Sequence, residues 1–263
     1  MTEIRKKHFS LQAGAWEGVI LIIALLVFWF WTDTSGHLNT VVFPSPLEVW
    51  TTLVHKLSDG SLLLAIRISV VRVLKGYGIA MAAGISCGIL MGLSNHMYHI
   101  VNLLLQIIRP IPPIAWIPLV ILWMGIGESS KVFLIFLGGF FNVLLNVISG
   151  IRYTDQKLVE VAYVMETPRR KYITRLVIPA ALPNIFTGLR ISLGSCWTCV
   201  VAAELVASTS GVGYMISNAR NFGQMDVVVI GMLSIGIIGK IMDSLLAFLE
   251  KKVLAWNFQG GAE

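Results

Sequence analysis

Charge is scarce in this chain: Asp, Glu, Lys and Arg make up 13% of its 263 residues, 56% are apolar, and the mean hydropathy is +0.78. A globule of ordinary size cannot bury so much apolar surface, which places the chain in a membrane, and its long apolar segments are expected to be the helices of an all-α membrane protein. Cysteine is scarce as well; all three lie in hydrophobic stretches, which excludes a disulfide framework. The pair Cys196 and Cys199 in GSCWTCV has CxxC spacing but no second ligand pair, so both read as small packing residues and no metal site is expected. HExxH, GxSxG and paired carboxylates are missing, and the five histidines form no ligand cluster, which argues against a membrane enzyme. The glycine-rich turn region 209–225 contains TSGVGYM, but no strand precedes it and no GK[ST] follows, so it is no phosphate-binding loop. There is no internal repeat, no low-complexity tract and no soluble second domain. No small-residue cleavage site follows Trp31, so the basic residues Arg5, Lys6 and Lys7 precede an uncleaved first span.

The charge that is present is unevenly placed. Much of the net +6 lies at residues 150–183, at Arg5, Lys6 and Lys7, and at Lys251 and Lys252. That clustering reads as membrane topology and anionic lipid headgroups rather than nucleic acid. Six apolar segments are expected to span: 16–31, 76–97, 111–126, 132–151, 185–208 and 227–249, with both chain ends and the basic loop 150–183 in the cytoplasm. Between the first two, Ser45-Pro46-Leu47-Glu48 is a capping box with proline at the first helical position. Leu47, Trp50, Val54 and Leu57 then form the apolar stripe of an amphipathic helix at the outer surface. Arg67, Arg72 and Lys75 follow on the same outer side, against the charge rule, and are expected to snorkel or to lie in an interfacial helix.

Gly84, Gly88 and Gly92 make a GxxxGxxxG stripe that permits close helix packing. Pro110, Pro112, Pro113 and Pro118 forbid a regular helix over 97–127, leaving an interfacial piece up to Arg109 and a span from Ile111. Broken backbone at membrane depth must be covered by protein or line a water-filled cavity. This segment, with Arg109, Pro112, Pro113 and Trp116, is therefore the first candidate for lining a pathway, beside the alternative of a kink buried between helices. Asn142 and Asn146 give 132–151 a polar edge suited to interhelical hydrogen bonds or, less readily, to a pore. Arg190 and Glu204 sit near opposite ends of 185–208, roughly 21 Å apart by the helical rise, too far to pair with each other. Either is a functional candidate or an interfacial, solvated charge. In the last span Asp226 is placed as cap, and Lys240 and Asp243 can neutralise each other at i,i+3.

The loop 150–183 also looks folded. Asp155 can cap a short helix with Leu158, Val161, Ala162 and Met165 on one face, and Thr167-Pro168 reads as the cap and first residue of a second helix. Two short helices and a tight turn make a docking knob.

From Glu160 onward this loop resembles the cytoplasmic signature of permease subunits of bacterial ATP-binding-cassette importers: Glu-Ala-Ala, three residues, Gly, nine residues, then Ile, any residue, Leu-Pro. Here Glu160-Val161-Ala162 is followed after three residues by Glu166 and after nine more by Leu176-Val177-Ile178-Pro179. Spacing is intact, with Val161 for alanine, Glu166 for glycine, and aliphatic swaps at Leu176 and Ile178. The glycine matters most, because the turn between the helices favours positive φ. FPSPLEVW, RPIPPIAWIPLVILWMGIGESSK, VIPAALPNIFTGLRISLG and VAAELVAS are similar to the subgroup serving nitrate, taurine, alkanesulfonates and bicarbonate, with a few relatives for pyrimidine or flavin-type vitamin precursors.

The resemblance implies a MetI-like type I importer permease fold. Residues 1–42 would be the cytoplasmic N-terminus and first transmembrane helix, 43–75 the outer amphipathic segment, and 76–263 the core permease domain with its coupling loop at 150–183. It implies a homodimer in the bacterial inner membrane, two copies of a cytoplasmic ATPase carrying ATP and Mg, and an extracytoplasmic solute-binding protein; no cofactor is expected on this chain. Glu160, Val161, Ala162, Met165, Glu166, Thr167, Pro168, Arg169 and Tyr172 would be the ATPase-coupling residues. The pathway set is Arg109, Pro112, Pro113, Trp116, Asn142 and Glu204, with Arg109 suited to sulfonate or nitrate oxygens or to a lipid phosphate at the inner interface. A secondary carrier is the rival class, but it usually carries inverted repeats and a midplane coupling carboxylate, and neither is found.

Overall fold

The computed structural model describes residues 2–35 and 43–255, with side chains from Gly18 onward. The boundary drawn at residue 42, the side chains of Arg5, Lys6, Lys7 and Trp16, and the chain after residue 255 lie outside that set. Among the described residues there is no strand, and the helices run α1 (Thr2–Thr34), α2 (Pro46–Ser58), α3 (Ser61–Leu93), α4 (Asn95–Ile108), a 3-10 turn (Pro113–Trp116), α5 (Ile117–Met124), α6 (Glu128–Arg152), α7 (Gln156–Val164), α8 (Arg169–Tyr172), a π turn (Ile173–Val177), α9 (Ile178–Ala207), α10 (Val212–Asn221) and α11 (Met225–Val253). Four stretches are long and apolar enough to cross a membrane: Ser61–Leu93, Glu128–Arg152, Arg169–Ala207 and Met225–Val253. The pair α4 and Pro113–Met124, bent by 82°, counts as a fifth if taken as one broken span, and the apolar part of α1, Gly18–Thr34, is shorter than the others.

Three helices carry the core. α3 and α6 run parallel, joined through the glycine stripe: a Cβ on Gly84 would lie 2.8 Å from that of Val143, one on Gly88 2.6 Å from that of Val147, and one on Gly92 2.9 Å from that of Ile151. Only hydrogen fits where the two backbones come this close. The stripe reaches back to Gly76 against Ile135, because α3 begins at Ser61 rather than at Gly76 and takes Arg67, Arg72 and Lys75 into the same helix as the span. α9 lies antiparallel to both. Val143, Val147 and Ile151 meet Val177, Ala181, Ile185 and Leu189 in one buried cluster, and Val73, Ile135, Leu193, Cys196, Trp197 and Val200 form another. Cys196 packs into the space left by Gly139 and donates to the Ile135 carbonyl at 3.4 Å, while Cys199 abuts Gly138.

Local signals set most helix starts. The Ser45 hydroxyl accepts from the Glu48 N–H and the Glu48 carboxylate accepts from the Ser45 N–H, both at 3.1 Å, with Pro46 opening the helix. Leu47, Trp50, Val54 and Leu57 are all exposed on α2, whereas Val49 packs with Leu62 and Ile230. Asp226 is not the cap of α11: Gln224 holds that position, and the Asp226 carboxylate instead accepts from the Thr52 hydroxyl of α2. Asp243 is held chiefly by Arg190 of α9, at 3.0 and 3.1 Å, with Lys240 more distant at 3.8 Å, so the strong pairing runs between helices rather than along one.

Candidate functional site

The two ends of α6 differ in what they present. At the Arg152 end the chain leaves the bundle and builds the knob. Asp155 caps α7 by accepting from the Lys157 N–H at 2.9 Å. α7 closes in a Schellman motif: the Thr167 N–H donates to the Ala162 carbonyl and the Glu166 N–H to the Tyr163 carbonyl, both at 3.0 Å. That motif needs a left-handed residue, and Glu166 supplies it at φ 48°, the one non-glycine with positive φ among the described residues. The turn drawn by the glycine of the signature is thus kept by a glutamate, at a cost of about 1–2 kcal/mol for its Cβ. Pro168 has extended ψ of 137° and is the cap of α8, so the helix starts at Arg169, one residue later than a Thr167 cap would place it.

Glu160, Val161 and Met165 are exposed on this knob, and Tyr163 and Val164 join them at its tip. Ala162 is the exception: it is 8% exposed and the one buried residue of α7, so it does not share the open surface of Val161 and Met165. Tyr172 likewise packs on the Val177 and Ala181 cluster, on the bundle side of the knob. Downstream, Arg169–Ala207 is one continuous helical run, with Pro179 in the first turn of α9 and Pro183 inside that helix.

At the opposite end α3, α6, α9 and α10 converge on Arg72. Its guanidinium donates from Nε to Glu128 at 2.8 Å, from Nη1 to Glu204 at 2.8 Å, and to the Ser210 carbonyl at 2.7 Å. Glu204 is 1% exposed and accepts in addition from the Ser69 hydroxyl at 2.8 Å and from the Gly213 N–H at 2.8 Å, at the start of α10. Arg72 does not snorkel and Glu204 is not solvated: each satisfies the other in the interior, and Glu204 lies apart from the other five residues of the pathway set. Gly213 is required there, since a Cβ would stand 2.7 Å from the Glu204 Cβ and 2.9 Å from the Val201 carbonyl.

Between these ends, where α4 breaks into the 3-10 turn, a cavity of about 300 Å³ opens against the middle of α6 and α9. Four of the six residues proposed for a pathway line it: Arg109, Pro113, Trp116 and Asn142. Pro112 lines an adjoining apolar cavity of about 180 Å³ that shares Pro113, Thr198 and Cys199. α4 starts beside Arg152, whose guanidinium donates to Asn95 at 2.8 Å and stacks on Tyr98 at 4.1 Å, and Arg109 closes it beside Gly138 and Asn142, so α4 runs along α6 from the knob end to its middle rather than lying at one end, with Arg109 itself exposed. Asn142 serves both roles weighed for it: it donates to Ser195 of α9 at 2.8 Å and faces the cavity. On the other wall Ser195 and Thr198 escaped the sequence reading and Cys199 was read only as a packing residue, although their i, i+3, i+4 spacing on one apolar helix was a usable signal.

Residues 80–255 match the family of binding-protein-dependent transport system inner membrane components. The chain is 39% identical to the putative aliphatic sulfonates transport permease protein SsuC of Bacillus subtilis, over 97% of this chain and 92% of that protein. It is 33% identical to the taurine transport system permease protein TauC of Escherichia coli, over 90% and 88%. It is 32% identical to the nitrate import permease protein NrtB of a Synechocystis strain, over 89% and 88%. Bent helices, a glycine-welded core and a projecting knob are thus the frame of a transport permease, and the chain belongs to the family of binding-protein-dependent transport system inner membrane components.

Proposed function

We propose that this chain is the membrane subunit of an ATP-driven importer for a small solute bearing a sulfonate or similar oxyanion group, of the aliphatic sulfonate, taurine or nitrate type. What carries the reading is its kinship, over nearly its full length, with permeases named for those three solutes. The chain works as a homodimer with six spans per copy and both ends in the cytoplasm. Two copies of a separate ATPase hold ATP and Mg, and a binding protein delivers the solute from outside. The exposed tip of the knob, Val161, Tyr163, Val164 and Met165, fits an apolar groove on the ATPase, with Glu160 at the rim. Closure of the ATPase pair on ATP pulls the two knobs together and tips the spans outward, a rigid-body switch biased by ATP and by the loaded binding protein.

The test is uptake in proteoliposomes containing permease, ATPase and binding protein. Glu160→Lys is expected to insert and fold as the parent does, to keep ATP hydrolysis, and to lose uptake. Uptake at the parent rate in that variant would remove Glu160 from the coupling contact. Uptake that survives ATP depletion on an ion gradient alone would refute the whole reading.

A further inference from the structure

We propose that the cavity at the bend between α4 and α5 binds the transported oxyanion itself, with Arg109 as its charge partner and the Ser195 hydroxyl as a second donor. This inference rests on the importer reading above and extends it: the membrane subunit tests the cargo rather than only letting it pass. The cavity lies against Gly138 and Asn142 near the middle of α6 and against Ser195 and Thr198 on α9. An ionisable side chain at such depth is functional by default unless it is paired. Arg109 is exposed at the close of α4 and forms no ion pair among the described residues; Arg72 and Arg190 are both paired, and Arg67, exposed and without an ion pair as well, lies away from this cavity beside Arg72 and Glu128.

The hydrogen bonding around the cavity leaves donors in surplus. Both amide hydrogens of Asn142 are committed, to the Gly138 carbonyl at 3.2 Å and to the Ser195 oxygen at 2.8 Å. Because the Ser195 oxygen accepts there, its own O–H is left to donate. A guanidinium and a hydroxyl donor facing one space complement an oxyanion, and a guanidinium does so through paired N–H groups. The rings of Trp116 and Phe141 give the same cavity an apolar wall for a short organic tail. Its volume is at the small end of the range for ligand sites, which suits a cargo of few atoms.

The same chemistry can be met by the phosphate of a lipid, and the experiment separates the two sources. The permease–ATPase complex is placed in nanodiscs of zwitterionic lipid, without the binding protein, and titrated calorimetrically with ethanesulfonate, taurine and nitrate. At least one of the three is expected to bind. Arg109→Gln should weaken it about tenfold or more, Arg109→Lys less, and Ser195→Ala by a smaller factor, with ethyl methyl sulfone, the uncharged analogue of ethanesulfonate, failing to bind. Binding that is the same in Arg109→Gln as in the parent overturns the proposal. So does an Arg109→Gln effect confined to stabilisation by phosphatidylglycerol, which would assign the site to lipid. Uptake by the full system tells the two failures apart: intact uptake with no Arg109-dependent binding sinks only this inference, whereas absence of ATP-driven uptake of all three solutes sinks the importer reading beneath it.

Discussion

At the Glu128 end of α6, three helices and the Ser210 turn meet on one guanidinium; at the Arg152 end, the chain swings out of the bundle and leaves a tyrosine, two valines and a methionine uncovered. Arg72 and Glu204 of the first arrangement are buried, with Glu204 taking hydrogen bonds from Arg72, Ser69 and Gly213, while Glu128 reaches the guanidinium from the exposed side. The second is exposed and carries a glutamate in a left-handed turn. A buried ion pair contributes little net stability but penalises any rearrangement that separates its members. An exposed apolar tip is the reverse: it costs the isolated chain and is stabilised only by something that covers it. One end is built to stay together, and the other leaves open the surface that the proposed ATPase contact would cover.

That contrast can be broken most severely at Arg72. Arg72→Ala leaves Glu204 buried without its cation, and the expected loss is about 3–5 kcal/mol, read as a large fall in the folded fraction by fluorescence-detected size exclusion. Arg72→Met with Glu204→Gln should cost less than the sum of the two single changes; strict additivity would mean that the pair does not interact as described. The next largest effect probes how far the rigid part extends toward the knob. Gly88→Ala places a methyl 2.6 Å from the Val147 Cβ, and α3 and α6 must part to admit it. A loss of about 1–3 kcal/mol in thermal unfolding is expected, and a neutral result would place the end of the rigid core above Gly88. The smallest effect is a gain. Glu166→Gly removes the Cβ from a left-handed residue and should stabilise the turn by roughly 1 kcal/mol, seen as slower hydrogen exchange at the Thr167 amide with no change around Glu204. Faster exchange there would show that the Glu166 side chain, and not the backbone, holds the turn.

What could be read in the sequence was local. The capping box at Ser45 and Glu48, the Asp155 cap, the glycine stripe and the proline break each depend on residues a few positions apart, and each stands in the structure as expected. The Arg72–Glu204 pair could not be read that way. Its members are 132 positions apart on different helices, and helical spacing says nothing of which helices become neighbours. Viewed singly, Arg72 looks like a topology violation and Glu204 like a functional candidate or an interfacial charge; only their meeting explains why both are buried. α10 was missed for a related reason: a run rich in glycine, serine and asparagine has the composition of a loop, and it is held helical by its packing, with Gly231 of α11 leaving room for Ile216 and Gly213 admitting Glu204. The central cavity was half legible. Prolines announced the α4 side of it, while Ser195 and Thr198 gave no sign in isolation.

The unbroken run from Arg169 to Ala207 has a mechanical meaning. Because the π turn joins α8 to α9 without a gap, the base of the knob and the Ser195 wall of the cavity belong to one rod, separated by a moment arm on the order of 40 Å at the helical rise. A few degrees of tilt applied at Arg169 would displace Ser195 by ångströms relative to Arg109, which rides on a different helix beyond an 82° elbow. The two donors proposed to grip one anion are thereby mounted on separate helices, and a tilt of one would change the distance between them. A pull on the knob would reach the anion as a change in grip, with no intermediate messenger.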